Sequence, residues 1–211
     1  MRAPITVVTA TIPGREELLG KTLASVYAQT VEVEAHLVMA QSCTEGLVPP
    51  VHVALQQNHL LDSVKSAFTM RLADDDQLLP HHVEAFLPHL ERADVIYSFD
   101  QGSNRPHVSL NGMSKAQLIE FFSKTNCIDA SATAIRTKLL KRVGGWPTHW
   151  EGGGHLPGQG GHFKNTWINA EDWLCWLNLA RAGARFLCIP EETWLYGVGD
   201  WARSSTGDVA P

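Results

Sequence analysis

The order of segments along the chain predicts an α/β domain built around a mainly parallel central sheet. Three observations carry that expectation. β-Branched runs alternate with stretches of helical periodicity along nearly the whole sequence. No internal repeat and no convincing linker divides the 211 residues. A run of three aspartates, Asp74-Asp75-Asp76, closes a short apolar segment, the place where sheets of this class bind ligands, beyond the carboxyl ends of their strands.

The elements follow in order. Ile5 to Thr11 is continuous and β-branched, as suits a strand buried on both faces, and Pro13-Gly14 breaks it. From Arg15 to Gln29, Leu19, Leu23, Val26 and Tyr27 recur at helical spacing. Ala35 to Ala40 and Val51 to Leu55 read as the next two strands, the second after Pro49-Pro50. A short helix from Leu60 to Ala67 then leads to a strand over Phe68 to Leu72.

Pro80 opens a helix with Val83, Phe86, Leu87 and Leu90 on one side, and Val95 to Phe99 forms another strand. Ser114-Lys115-Ala116-Gln117 has the form of a capping box for a helix through Phe122. Ala130 to Arg136 predicts a strand and Lys138 to Val143 a helix stopped by Gly144-Gly145. Glu151 to Gly161 is glycine-rich and aperiodic. Asn169 is placed to cap a helix with Trp173, Trp176, Leu177 and Ala180 inward. Arg185 to Ile189 and Thr193 to Val198 are read as late strands, and the tail 204–211 as frayed.

Composition excludes several classes. With 44% hydrophobic and 18% charged residues the chain has the balance of a folded protein. A net charge of -5 gives no overall electrostatic footprint for nucleic acid or an anionic membrane. No apolar run reaches a membrane span, and Met1-Arg2-Ala3-Pro4 runs directly into a strand, so a cytoplasmic location is expected. Cys43, Cys127, Cys175 and Cys188 form no metal-binding or disulfide pattern, and Cys175 and Cys188 read as core residues.

Three adjacent carboxylates repel one another unless a cation lies among them. Hard divalent ions, Mn²⁺ or Mg²⁺, take oxygen ligands and are commonly shared between a few carboxylates and substrate phosphates. An idle acidic turn is the plain alternative. The stretch Thr9-Ala10-Thr11-Ile12-Pro13-Gly14-Arg15 fails the dinucleotide fingerprint, and no Gly-Lys-Ser/Thr follows the glycines of residues 152–161. A metal on aspartates remains as the means of holding phosphates.

Four blocks, in this order, resemble glycosyltransferase family 2 with its GT-A fold, a Rossmann-like three-layer sandwich of the nucleotide-diphospho-sugar transferases. They are Thr9 to Arg15 with Leu23 to Thr30, Asp74 to Pro80, Ala130 to Arg136 with Val143-Gly144-Gly145-Trp146, and Glu171-Asp172-Trp173 with Ala182-Gly183-Ala184. The resemblance covers nearly the whole chain as a single domain. Its nucleotide-binding half spans about 1–100 and its acceptor half about 101–203.

That resemblance implies metal-dependent transfer of a sugar from a nucleoside-diphosphate sugar, with inversion, to an acceptor hydroxyl. It implies Asp76 as the direct metal ligand, Asp74 completing a D-x-D with it, and Asp75 as a ribose or supporting contact. Asp172, beside Glu171, is implied as the general base. Thr11, Pro13 and Arg15 fall where the family wraps the nucleotide. Trp146 and Trp150 fall on the acceptor side, and residues 150–163, with His155 and His162, form a lid. Trp173, Trp176 and Trp194 are expected in the core.

The chain departs from the pattern at three points. Ala73 stands where relatives often carry an aspartate, and a late metal-binding histidine is missing near Tyr196-Gly197-Val198-Gly199, leaving Asp200, His155 or His162 as substitutes. Met39-Ala40-Gln41-Ser42 replaces a uracil-reading aspartate, so that Gln41 or Ser42 would meet the base. These departures keep open a catalytically silent nucleotide-sugar-binding relative and, more remotely, a nucleotidyltransferase. The acceptor, whether glycan, lipid-linked sugar, small molecule, protein or modified nucleic-acid base, is not legible in the residues.

Overall fold

β1 (Ala3–Thr11) is buried along nearly its whole length and has a parallel neighbour on each side, β2 (Val33–Ala40) and β3 (Phe68–Arg71). The computed structural model describes residues 2–40, 49–103, 106–148 and 171–197. Seven strands form one sheet in the order β2-β1-β3-β6-β5-β7-β4, completed by β4 (Gln77–Leu78), β5 (Val95–Gln101), β6 (Thr133–Arg136) and β7 (Phe186–Leu195). β1, β2, β3, β5 and β7 run one way; β6 and the two-residue β4 run against them. The sheet is therefore mostly parallel, with the parallel strands pointing to one edge.

Alternation along the strands separates the two larger cores, beside a small third cluster of Val8, Leu60 and Val64. On β5 and β6, Val95, Tyr97 and Ile135 point into one cluster and Ile96 and Ala134 into the other. The first is covered by α2 (Pro49–Ser63), α4 (Lys115–Phe122), α5 (Thr137–Arg142) and α6 (Glu171–Arg181), through Leu61, Phe122, Leu140 and Trp176. The second lies under α1 (Glu16–Tyr27) and α3 (His82–Phe86), through Val26, Val83 and Phe86. Helix, sheet and helix make three layers, as expected for this class. Cys175 and Cys188 are core residues, at 0% and 2% exposure.

Ser114 caps α4 in a complete capping box, its hydroxyl accepting the Gln117 amide while the Gln117 side chain takes the Ser114 amide. Residues 51–55, expected as a strand, are instead part of α2. Val51, Val53 and Leu55 alternate like a strand, but Ala54, Leu60, Leu61 and Val64 are the buried set, and they recur at helical spacing. Pro49 and Pro50 suit the opening turn of a helix. The helix expected from Pro80 stops at Phe86 and continues as a 3-10 turn over Leu87–His89, with Pro88 inside it. The two late strands are one, β7, whose register with β5 shifts on either side of Phe99.

Candidate active site

The turn after β1 and the turn after β3 reach the same sheet edge because the two strands are parallel neighbours. The Thr11 hydroxyl donates to Asp74 Oδ2 at 2.5 Å. Arg15 grips the same carboxylate with Nε at 2.8 Å and Nη2 at 2.9 Å, and Nη2 reaches Asp75 Oδ2 at 2.8 Å. The bond to Asp74 holds the Arg15 guanidinium pKa above its ordinary value. Burial raises the Asp75 carboxyl, and Arg15 opposes that rise.

Asp76 lies apart from this cluster. It is 3% exposed and accepts the Gly197 amide on Oδ1 at 2.7 Å. Burial first, and then the charge of Asp129, push its pKa well above the carboxylate range, while the Gly197 amide and Ser131 hydroxyl pull it down. Gly197 follows β7 and presses on the aspartate turn so closely that a Cβ there would collide with the Asp75 carbonyl.

Glu171 and Asp172 open α6. Asp172 Oδ1 accepts the Trp173 amide at 2.6 Å and Oδ2 accepts Asn126 Nδ2 at 3.1 Å. Its pKa rises to about 7, chiefly through burial and then through Glu171 and Asp129, against the pull of Arg71. Arg71, the last residue of β3, donates both terminal nitrogens to Glu171 Oε1 at 3.1 Å and lies 5.1 Å from the centre of the Trp146 ring.

Asp129 joins the two sides. Its carboxylate accepts the Ser131 amide at 2.9 Å, its carbonyl accepts the Thr133 hydroxyl at 2.9 Å, and Ser131 Oγ accepts the Ala73 amide at 3.0 Å. The segment entering β6 is thereby tied to the aspartate turn. Asn126, three residues earlier in the same segment, holds Asp172. One carboxylate thus acts electrostatically on both Asp76 and Asp172.

Asp76 fits a divalent cation: a buried carboxylate crowded by a second acid is relieved by positive charge. Among the described residues no group of three metal-ligating side chains comes together. An ion there would take Asp76 as one ligand and would need its remaining oxygen ligands from outside the described side chains.

The residues expected at the site divide as follows. Asp74, Asp75, Asp76, Thr11 and Arg15 converge on one turn, and Glu171 and Asp172 face it through Asp129. Arg15, expected at a phosphate, is bonded to Asp74 and Asp75, and Asp74, expected on the metal, has both oxygens bonded by Arg15 and Thr11. Glu171 is in an ion pair with Arg71. Pro13 is exposed in the turn after β1.

Trp146 corrects an expectation. It is 1% exposed in the core, edge-on to Trp176 at 5.8 Å, and backs Arg71 rather than presenting a face to an acceptor. Asn58 pins it there, donating to the Trp146 carbonyl and accepting its amide, each at 2.7 Å. Trp176 and Trp194 are core residues as expected, while Trp173 is partly buried. Gln41, Ser42, Trp150, His155, His162, Asn169 and Asp200 lie outside the described residues.

Sequence reasoning missed Asp129, Arg71 and Asn126. Arg71 carries a readable signal, a charge ending the buried strand Phe68-Thr69-Met70 beside three acids. Asp129 and Asn126 join the site only through tertiary packing.

No protein-family model and no curated protein matches the chain. Solved structures do. Residues 1–349 of S. aureus TarS match with a TM-score of 0.62 at 16% identity, over 93% of this chain and 60% of that one. TarS 1-349 in complex with UDP matches with a TM-score of 0.63 at 14% identity, over 95% of this chain and 61% of that one. The mannosyltransferase PcManGT from Pyrobaculum calidifontis, in complex with GDP-Man and Mn²⁺, matches with a TM-score of 0.61 at 13% identity, over 100% of this chain and 66% of that one. The chain spans about three fifths of the TarS chain that it matches. Seven strands in this order between two helix layers, superposable on these proteins, are the GT-A glycosyltransferase fold.

Proposed function

We propose that the chain is a metal-dependent, inverting glycosyltransferase that moves a sugar from a nucleoside-diphosphate sugar to an acceptor hydroxyl. The observation that carries this reading is the segment 126–131, which bonds Asp172 through Asn126 and the aspartate turn through Ser131, and whose Asp129 lies within electrostatic reach of both Asp76 and Asp172. One side is built to meet a cation and phosphates, the other to take a proton. The solved structures it resembles were determined with UDP, with UDP-GlcNAc and with GDP-Man and Mn²⁺, which supports a nucleotide-sugar donor without fixing the base.

Asp76 would hold a Mn²⁺ or Mg²⁺ ion, which when bound supplies charge neutralisation for the departing diphosphate. Arg15 holds Asp74 and Asp75 beneath the nucleotide, which leaves Asp76 as the aspartate it does not bond. Asp172, oriented by Asn126 and the Trp173 amide, takes the proton of the attacking hydroxyl. Glu171 and Arg71 hold the opening turn of α6 against β3, and Glu171 keeps the Asp172 pKa high enough for that transfer. No helix among the described residues is long and apolar enough to cross a membrane.

The test is consumption of nucleotide sugars from a panel, with Mn²⁺ and with chelator. The reading expects at least one donor to be hydrolysed slowly or transferred only with the metal, and that activity to vanish in Asp76→Asn. Binding of nucleotide sugars without turnover would favour the silent binding relative instead.

A further inference from the structure

We propose that His82 is a positioning residue, which acts through the left-handed backbone of Ala132 to hold Ser131 against the aspartate turn. This rests on the transferase reading for what the turn does, and on the fold alone for how the turn is held.

Two costly features meet behind the turn. His82, the first residue of α3, is 0% exposed, and its ring packs 4.3 Å from that of Phe86. Its Nδ1 lies 2.6 Å from the Thr193 hydroxyl, which in turn lies 2.6 Å from the Ser98 hydroxyl. Its Nε2 is buried and has no hydrogen-bond partner among the described residues, an arrangement that folded proteins rarely keep. Burial lowers the imidazole pKa to about 3 while the backbones of Thr193 and Ala132 pull it upward, which sets the ring between those two residues.

Ala132 is the second feature. With φ at 55°, it is the one non-glycine residue in the left-handed region among the described residues. It is 1% exposed, in the same core cluster as Phe86 and Trp194. Such a conformation persists only where its surroundings over-determine it. Its neighbours show what it fixes. The Ala132 amide donates to the Arg71 carbonyl at 2.7 Å, and Ser131, one residue earlier, accepts the Ala73 amide on Oγ at 3.0 Å. A return of φ to the ordinary negative range would swing Ser131 relative to β6 and away from Ala73. The imidazole, braced by Thr193 of β7 and Ser98 of β5, occupies the space into which Ala132 would relax.

The experiment is amide hydrogen exchange by NMR on the whole chain, with neither metal nor nucleotide added. His82→Asn keeps an amide beside Thr193 where Nδ1 stood and removes Nε2. The Ala73 and Ala132 amides are expected to exchange roughly five- to thirty-fold faster, the factor set by the penalty of a left-handed non-glycine residue. The Val83 amide, which Gln29 accepts at 3.0 Å, reports on α3 itself and should change less. Ala132→Gly removes the penalty, so adding it to His82→Asn should return both amides most of the way to wild type. A side chain that merely fills the core would not be rescued by a glycine on another element. Thr193→Val, which keeps the shape and drops the hydroxyl, carries the same expectation and the same rescue where His82→Asn folds poorly.

Wild-type exchange at Ala73 and Ala132 in these variants, or faster exchange that Ala132→Gly leaves unrestored, overturns the proposal. In consumption of a nucleotide sugar, His82→Asn should lower kcat and the added glycine should recover it; an unchanged kcat beside faster exchange overturns the bearing of His82 on the reaction. If exchange behaves as expected while the wild type consumes no nucleotide sugar, the bracing of the turn stands and the transferase reading fails.

Discussion

Asp172 keeps its proton to about pH 7 because it is buried beside Glu171 and near Asp129. A base must be ionised to accept a proton, so kcat/KM should rise with pH through about 7. Asp172→Asn should fold and lose roughly 10²–10⁴ in rate, with that acidic limb gone; transfer at the native rate would remove Asp172 from the chemistry. Arg15 poses a different question. It compensates two aspartates, Asp74 and Asp75, whose side chains are 10% and 15% exposed. Arg15→Met leaves those acids unpaired and should cost about 3–5 kcal/mol in urea unfolding, with part restored by adding Asp74→Asn. At this scale the sequence names Asp74 to Asp76 and the Glu171-Asp172 pair, but not the partition among the aspartates. That partition is made by Arg15, whose bonding to Asp74 cannot be read from a linear run.

Elements set the positions of those residues. Gly197 follows β7 where it crosses the aspartate turn, and its amide is the direct partner of Asp76. Gly197→Ala should cost about 1–3 kcal/mol, the usual penalty of overpacking, and weaken cation binding more than Asp75→Asn does; a melting temperature and metal affinity unchanged by the alanine would contradict that placement. β1, β5 and α6 follow from periodicity and α4 from its cap because local sequence and tertiary burial agree there, whereas α1 buries Thr22 and Val26 and leaves Tyr27 80% exposed. α2 does not, because Val51, Val53 and Leu55 mimic a strand while the buried side is helical. β4 is two residues long and gains its identity only by pairing with β7.

For the whole molecule, buried titrating groups act in opposite senses. Asp172, raised from 3.8 to about 7, stays protonated in the fold where the unfolded chain has lost its proton, so it lowers stability as pH rises through that window. His36 and His82, lowered by burial to about 4 and about 3, remain neutral where the unfolded chain is charged, and they lower stability as pH falls below about 6.5. The two effects oppose one another in wild type, and a difference isolates one. Asp172→Asn mimics the protonated acid, so its melting temperature relative to wild type should climb between about pH 4 and about pH 7 and level off above. A constant difference would mean that Asp172 titrates normally.

The overall architecture is legible from the alternation of strands and helices because a three-layer sheet buries both faces, which the continuous apolar strands announce. The candidate site is only half legible: Asp129 and Asn126 reach it through the packing of the segment before β6, and no local pattern marks them.

The most direct test is a crystal structure of the chain with Mn²⁺ and a nucleoside diphosphate, read by anomalous scattering at the manganese edge. The account predicts one manganese peak bonded to Asp76 and to diphosphate oxygens, with Arg15 still on Asp74 and the Asp172 carboxylate facing the same cleft. Manganese bound away from Asp76, or a nucleotide seated where Asp172 cannot face its diphosphate, would contradict it.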